Sequence, residues 1–188
     1  MPIPFTIIRP TLIVGQADVL TNNIAWLLRR FPIFLIPGNS DFRLQPVTLG
    51  DTARIISDAV EHQDNSEMDA AGPDIMSFAE YVGLVAKACH LKRPMIHVPE
   101  GLSLGFLRVI QPLLQDIILT REELLGLKQE LLTSKKPPLG KEPVAKWLER
   151  YGDQLGRQYI NDIDRHFARG RTKAVLYIDK AGNLRPVY

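Results

Sequence analysis

The sequence predicts an α/β fold, and three observations predict it. FTIIRPTLIVGQADVL (residues 5–20) carries a β-branched and apolar run without hydrophilic alternation, the pattern of a strand buried on both faces of a parallel sheet. Short apolar segments then alternate with amphipathic helical stretches as far as residue 98. Finally, KAVLYIDKAGNLRPVY (173–188) reads as two strands around Lys180-Ala181-Gly182-Asn183, a hairpin.

The elements follow in order. Thr6-Ile7-Ile8 opens the first strand, Arg9-Pro10 interrupts it, and Leu12-Ile13-Val14 resumes it up to a turn at Gly15. Thr21-Asn22-Asn23 is expected to cap a helix through Ile24 and Trp26-Leu27-Leu28 to Phe31, stopped by Pro32. Ile33 to Ile36 reads as a short strand before Pro37-Gly38-Asn39, and Phe42 to Leu49 as extended chain. Gly50-Asp51-Thr52 opens a helix expected to bury Ala53, Ile55, Ile56, Ala59 and Val60 on one face. Met68 to Ala71 reads as a strand. Ser77 and Glu80 have the spacing of a capping box for a helix burying Phe78, Tyr81, Val82, Val85 and Cys89. Met95 to Val98 is a further strand. Helices are expected over 102–117, over 121–133 behind Thr120 and Glu123, and along the stripe Val144, Trp147, Leu148, Tyr151, Leu155, Ile160, Ile163 and Phe167, with Gly152 and Gly156 as breaks. Residues 1–134 are expected to form one unit, 135–141 (with Pro137-Pro138) a linker, and 142–188 a helical tail with the hairpin.

Composition narrows the function classes. A chain of 188 residues with 45% apolar and 23% charged residues can bury one sizeable core. The most apolar stretch, 101–119, is interrupted by Arg108, Gln111, Pro112 and Asp116, so no membrane span is expected. Cys89 is the only cysteine, which excludes an internal disulfide and fits a cytoplasmic protein. His62, His90, His97 and His166 lack ligand spacing, so no metal site is expected. Net charge is uneven: residues 1–134 hold 11 Lys/Arg against 15 Asp/Glu, and residues 135–173 hold 10 against 5. Interspersed acids in that basic tail read as a solvated helical face, making nucleic acid an unfavoured partner.

Three segments carry a resemblance. IIRPTLIVG (7–15), RLQPVTLGDTARIISDAVE (43–61) and AGPDIMSFAEYVGLVAKACH (71–90) together resemble the C-terminal half of NAD(P)-dependent epimerase/dehydratase-like proteins. These are extended and atypical short-chain dehydrogenase/reductases, with a subgroup close to an accessory subunit of respiratory complex I. The resemblance implies the last strands of a Rossmann-type sheet, a small and mostly helical substrate subdomain, and a start at the sixth strand of the Rossmann half. It places Arg9, Pro10, Thr11 and Leu12 beside the cofactor and Gly15, Arg43 and Gln45 on the substrate side. Leu12 stands where some sugar-nucleotide epimerases carry Asn, which favours a more apolar pocket. Asp51 matches the acidic residue at a helix start and is expected to cap that helix.

Two parts of the family's chemistry are absent from the sequence. There is no G-x-G-x-x-G or G-x-x-G-x-x-G turn to bring a helix N-terminus against a pyrophosphate. No tyrosine has a lysine four residues on, so the proton-transferring Tyr-x-x-x-Lys pair is missing too. The chain is therefore expected to hold no catalytic residue and to bind no cofactor alone, NAD or NADP and a small-molecule substrate belonging to a longer parent. A non-enzymatic binding or assembly module is the alternative. Either way, the first strand should present an unpaired edge and drive self-association.

Overall fold

A computed structural model describes residues 4–38, 42–61, 65–99, 131–160, 175–178 and 184–187. It is mixed α/β, as expected, with three parallel strand pairs, two antiparallel pairs and packed helices. In chain order the strands and helices are β1 (Thr6–Pro10), β2 (Leu12–Val14), α1 (Val19–Arg30), β3 (Phe34–Pro37), β4 (Arg43–Leu44), β5 (Pro46–Thr48), α2 (Leu49–Glu61) and β6 (Ser66–Ala70). There follow β7 (Met76–Ser77), α3 (Phe78–Ala88), β8 (Met95–Val98), α4 (Val144–Tyr151), β9 (Val175–Ile178) and β10 (Leu184–Val187). The parallel pairs are β1–β6, β2–β5 and β3–β8. The antiparallel pairs are β4–β7 and the terminal hairpin β9–β10.

The opening apolar run is two strands rather than one. Thr11 bends the chain between them, so β1 pairs with β6 while β2 pairs with β5. The expected burial on both faces is also corrected. Val14 is fully buried, yet Phe5 is 56% and Ile7 44% exposed. The cause is one-sided cover. Helix α2 lies on the face of β1–β6 that bears Ile8, Met68 and Ala70, while Ile7, Arg9 and Glu67 project from the opposite, exposed face. A parallel sheet is normally covered on both.

Helix α1 starts earlier than expected. Asp18 is its N-cap, accepting the Thr21 amide at 2.7 Å, so Thr21, Asn22 and Asn23 sit inside the helix and are buried. The Thr21 hydroxyl bonds Tyr81, while Asn22 and Asn23 reach the tail. The Asn23 carboxamide both donates to the Ile160 carbonyl and accepts its amide, each at 3.0 Å, as a peptide group would across a strand. Asn22 accepts from Gly156 N, and Arg29 donates to the carbonyls of Leu155 and Gly152. Helix α4 thereby brings Val144, Trp147 and Leu148, with Leu155 beyond it, into one core with Leu28, Ile36, Leu44, Tyr81, Val82 and Val85.

The capping box on α3 is present in both directions, Ser77 Oγ accepting from Glu80 N and the Glu80 carboxylate accepting from Ser77 N at 2.7 Å. Helix α2 corrects the sequence expectation in another way. Ile55 and Ala59 are buried, but Ala53, Ile56 and Val60 point outward: at 100° per residue the five positions spread over an arc of about 160°, and the buried stripe is centred on its Ile55–Ala59 edge, shared with Asp51 and Thr52. Strand β6 begins two residues before the expected Met68. The helices expected over 102–117 and 121–130 lie outside the described residues, as do Ile163 and Phe167, and Leu131 and Leu132 form a turn.

Candidate functional site

In open α/β sheets ligands bind beyond the carboxyl ends of the strands. At that end of β1–β6 the chain folds back on itself. The Thr11 amide donates to the Ala70 carbonyl at 3.1 Å, and its hydroxyl donates to the Gln45 carbonyl at 2.5 Å. Gln45 is 2% exposed. Its carboxamide donates to the Gly72 carbonyl and accepts the Ser134 amide, both at 2.8 Å, while its own amide donates to the Leu132 carbonyl at 2.9 Å. Gly72 has to be glycine: a Cβ there would lie 1.7 Å from the Pro46 carbonyl oxygen. One buried amide side chain thus ties β5, the end of β6 and a strap formed by residues 132–142.

The strap wraps the outer side of β6. Ser134 Oγ donates to Asp69 at 2.6 Å, and Lys136 Nζ reaches the outward-facing Glu67 carbonyl at 2.8 Å. Gly140 N donates to the Ala71 carbonyl, and Arg54 to the Leu139 carbonyl. Residues 135–141, expected as a linker, are thus tied to the sheet and α2. Asp51 does not cap its own helix; Thr48 Oγ1 accepts the Asp51 amide instead. The Asp51 carboxylate accepts the amides of Lys141 and Glu142 at 2.6 and 2.8 Å and the Arg54 guanidinium at 3.0 Å, clamping the strap to α2.

The other expected site residues are placed as follows. Arg9 is paired with Asp69 at 3.0 Å and Glu67 at 3.3 Å. The Ser134 hydroxyl, then Arg9 and Lys136, hold the Asp69 carboxyl below its ordinary range against a smaller opposing effect of burial. Pro10 is exposed, and Leu12 is half-buried opposite Pro46. Gly15 sits at the β2–α1 turn against Leu49, its amide donating to Asp18. Arg43 is exposed on β4 opposite Ser77, where its charge helps hold Glu80 below the ordinary range, after the Ser77 hydrogen bonds. Ser134 and Lys136 were not singled out in the sequence, since their partners lie more than 60 residues away.

Two other groups have perturbed protonation. Tyr81 is fully buried, bonds Thr21 Oγ1 at 2.7 Å, and burial pushes its phenol above the ordinary value. Burial likewise raises the Cys89 thiol, which contacts the Gly152 carbonyl. Among the described residues no group of three His, Cys, Asp or Glu is placed to hold a metal ion, and no helix is long and apolar enough to cross a membrane.

What the site leaves unsatisfied is backbone. Phe5 O accepts from Ser66 N, and Thr11 N donates to Ala70 O, so Phe5, Ile7, Arg9 and Thr11 turn their peptide groups toward β6. Thr6, Ile8 and Pro10 turn theirs to the opposite edge, which has no strand partner among the described residues.

No family model matches the chain, and no curated protein matches it. Solved structures do. UDP-glucuronic acid 4-epimerase from Bacillus cereus, in complex with UDP-glucuronic acid and NAD, is 16% identical with a TM-score of 0.49, over 80% of this chain and 45% of that one. The enzyme WbmH from Bordetella bronchiseptica, in complex with NAD+, is 14% identical with a TM-score of 0.48, over 84% and 47%. A dTDP-4-dehydrorhamnose reductase ortholog from Clostridium acetobutylicum is 12% identical with a TM-score of 0.44, over 50% and 33%. Among the similar structures are epimerases and a reductase, several of them in complex with NAD or NADPH. The chain spans less than half the length of each of these three.

Proposed function

We propose that this chain is the substrate-side portion of an NAD(P)-dependent epimerase/dehydratase-like or reductase protein. In that reading a dinucleotide-binding half adds to the free edge of β1, supplies the glycine-rich turn and the proton donor, and lets this portion shape the substrate pocket. NAD or NADP and the substrate belong to the completed protein; this chain alone neither holds the cofactor nor turns over. The observation that carries the reading is β1 itself. It is a parallel strand, paired on one edge among the described residues, with Phe5 and Ile7 exposed on a face that a parallel sheet normally covers. The three sequence segments that resemble the family support it independently. Arg9, Pro10, Thr11 and Leu12 then line the cofactor side, and Gly15, Arg43 and Gln45 shape the substrate side.

A second reading is a binding or assembly module without catalysis. It is favoured by how Arg9, Thr11 and Gln45 spend polar groups on bonds within the chain. Under both readings the chain alone associates through β1. The test is titration of the isolated chain with NADH and NADPH, followed by nicotinamide fluorescence and turnover assays. The first reading expects no stoichiometric binding. Tight, stoichiometric binding with turnover by the isolated chain would overturn it.

A further inference from the structure

We propose that the 188-residue chain pairs with a second copy of itself through the free edge of β1 and the uncharged flank of α2, in an antiparallel two-fold register centred on Ile7. The proposal rests on the reading of β1 as a docking edge and concerns the 188-residue chain without a dinucleotide-binding half, which would take the same edge.

The edge is self-complementary in its hydrogen bonding. Its outward peptide groups belong to Pro4, Thr6, Ile8 and Pro10, so N–H donors exist at Thr6 and Ile8 alone. With a two-fold axis at Ile7, Thr6 of one copy stands opposite Ile8 of the other and each exchanges both bonds with its partner. Pro10 then stands opposite Pro4, two donorless residues facing each other at the ends of the ladder. Every outward donor of that edge is used. A register shifted to centre on Ile8 sets Thr6 opposite Pro10 and leaves the Thr6 carbonyl without a donor. On the uncovered face the chosen register packs Ile7 against its symmetry mate and Phe5 against Arg9 of the second copy. Arg9 is already neutralised by Glu67 and Asp69, so no bare cation is brought into the contact.

Helix α2 adds the second part. Asp51, Arg54 and Asp58 share one flank, and Asp51 and Arg54 hold the strap there. The strap itself wraps the outer side of β6 through Lys136. The opposite flank, on the side of the free β1 edge, bears Leu49, Ala53, Ile56 and Val60, all exposed and none charged, with Gly50 and Ser57 beside them. Ile56 is 46% and Val60 78% exposed. A two-fold axis perpendicular to the sheet keeps both α2 helices on one face and turns these flanks toward each other, antiparallel. Uncharged flank meets uncharged flank, and the small residues Gly50, Ala53 and Ser57 permit close approach.

The test is sedimentation of the full chain at concentrations on the order of 0.1 mM, combined with cysteine crosslinking. The wild-type chain sediments at twice its 21.2 kDa mass. Ile7→Cys, exposed and directly opposite its mate at a Cα separation of about 4.5 Å, forms an intermolecular disulfide on mild oxidation. Phe5→Cys, whose mate is displaced along the strand, does not. Val60→Lys on the surface of α2 weakens the dimer at least about tenfold. A monomer overturns the proposal, including a monomer that pairs only with a different protein. A dimer in which Ile7→Cys stays reduced or Phe5→Cys crosslinks overturns the register, and one indifferent to Val60→Lys overturns the α2 contact. None of these outcomes depends on NADPH, whose titration tests the enzymatic reading separately.

Discussion

Replacing Gln45 by alanine removes a side chain that ties β5, the end of β6 and the strap together. Its carboxamide bonds Gly72 O and Ser134 N at 2.8 Å each, in a residue 2% exposed. Alanine leaves the buried Gly72 carbonyl and the half-buried Ser134 amide without partners. A buried polar group so abandoned costs about 1–3 kcal/mol, and water reaching Ser134 reduces its share, so the variant should lose about 2–4 kcal/mol. That is a large part of a typical total of about 5–15 kcal/mol. Urea denaturation monitored by far-UV circular dichroism measures the loss. Hydrogen exchange locates it: the amides of Ser134 and Gly140 lose protection, while those of Val82 and Val85 in α3 keep theirs relative to the new global stability. Gln45→Glu keeps an acceptor for Ser134 N but sets oxygen against the Gly72 carbonyl, so it should cost as much as alanine at neutral pH. A loss below about 0.5 kcal/mol with Ser134 and Gly140 still protected would refute the lock.

Three further outcomes are expected. Because Asp69 is held below its ordinary value of 3.8 in the folded chain, it binds protons less readily folded than unfolded. Its contribution is present above that value and lost as pH falls through the depressed one, so urea midpoints of wild type and Asp69→Asn should converge on acidification below 3.8. Gly156→Ala should be among the costliest single-methyl additions, by about 3 kcal/mol or more. Gly156 has φ +65°, and a Cβ would lie 2.3 Å from Trp26 N; thermal unfolding reads the loss. Gly50→Ala is the control, with nothing within 4 Å of its Cβ, and should raise stability by up to about 1 kcal/mol.

What the sequence disclosed was local. The Ser77–Glu80 capping box, the buried stripe of α3 and the terminal hairpin depend on spacings of a few residues, and each is present. The α/β class follows from the same short-range patterns. What it hid was long-range polar pairing. Thr21-Asn22-Asn23 has the composition of a cap, but Asp18 lies at the turn where the chain first becomes helical, and Asn23 finds its partner 137 residues away at Ile160. Asp51 looked like a helix cap for the same reason, because nothing local announces that Lys141 and Glu142 will offer it two amides. Apolar content misled on α2 and β1. Ile56, Val60, Phe5 and Ile7 are hydrophobic enough for a core, but no element among the described residues covers them. The alternation of peptide direction along β1, with prolines at Pro4 and Pro10, was written in the sequence but acquired meaning only once β6 fixed which edge has no strand partner among the described residues.

The most direct test of the central claim is the intact mass of the native product, captured from its source cells with an antibody to this segment, together with whatever copurifies. The account predicts a dinucleotide-binding segment with a glycine-rich turn, either within a polypeptide heavier than 21.2 kDa or as a bound partner chain. Recovery of a 21.2 kDa product, alone or only with copies of itself, would contradict it.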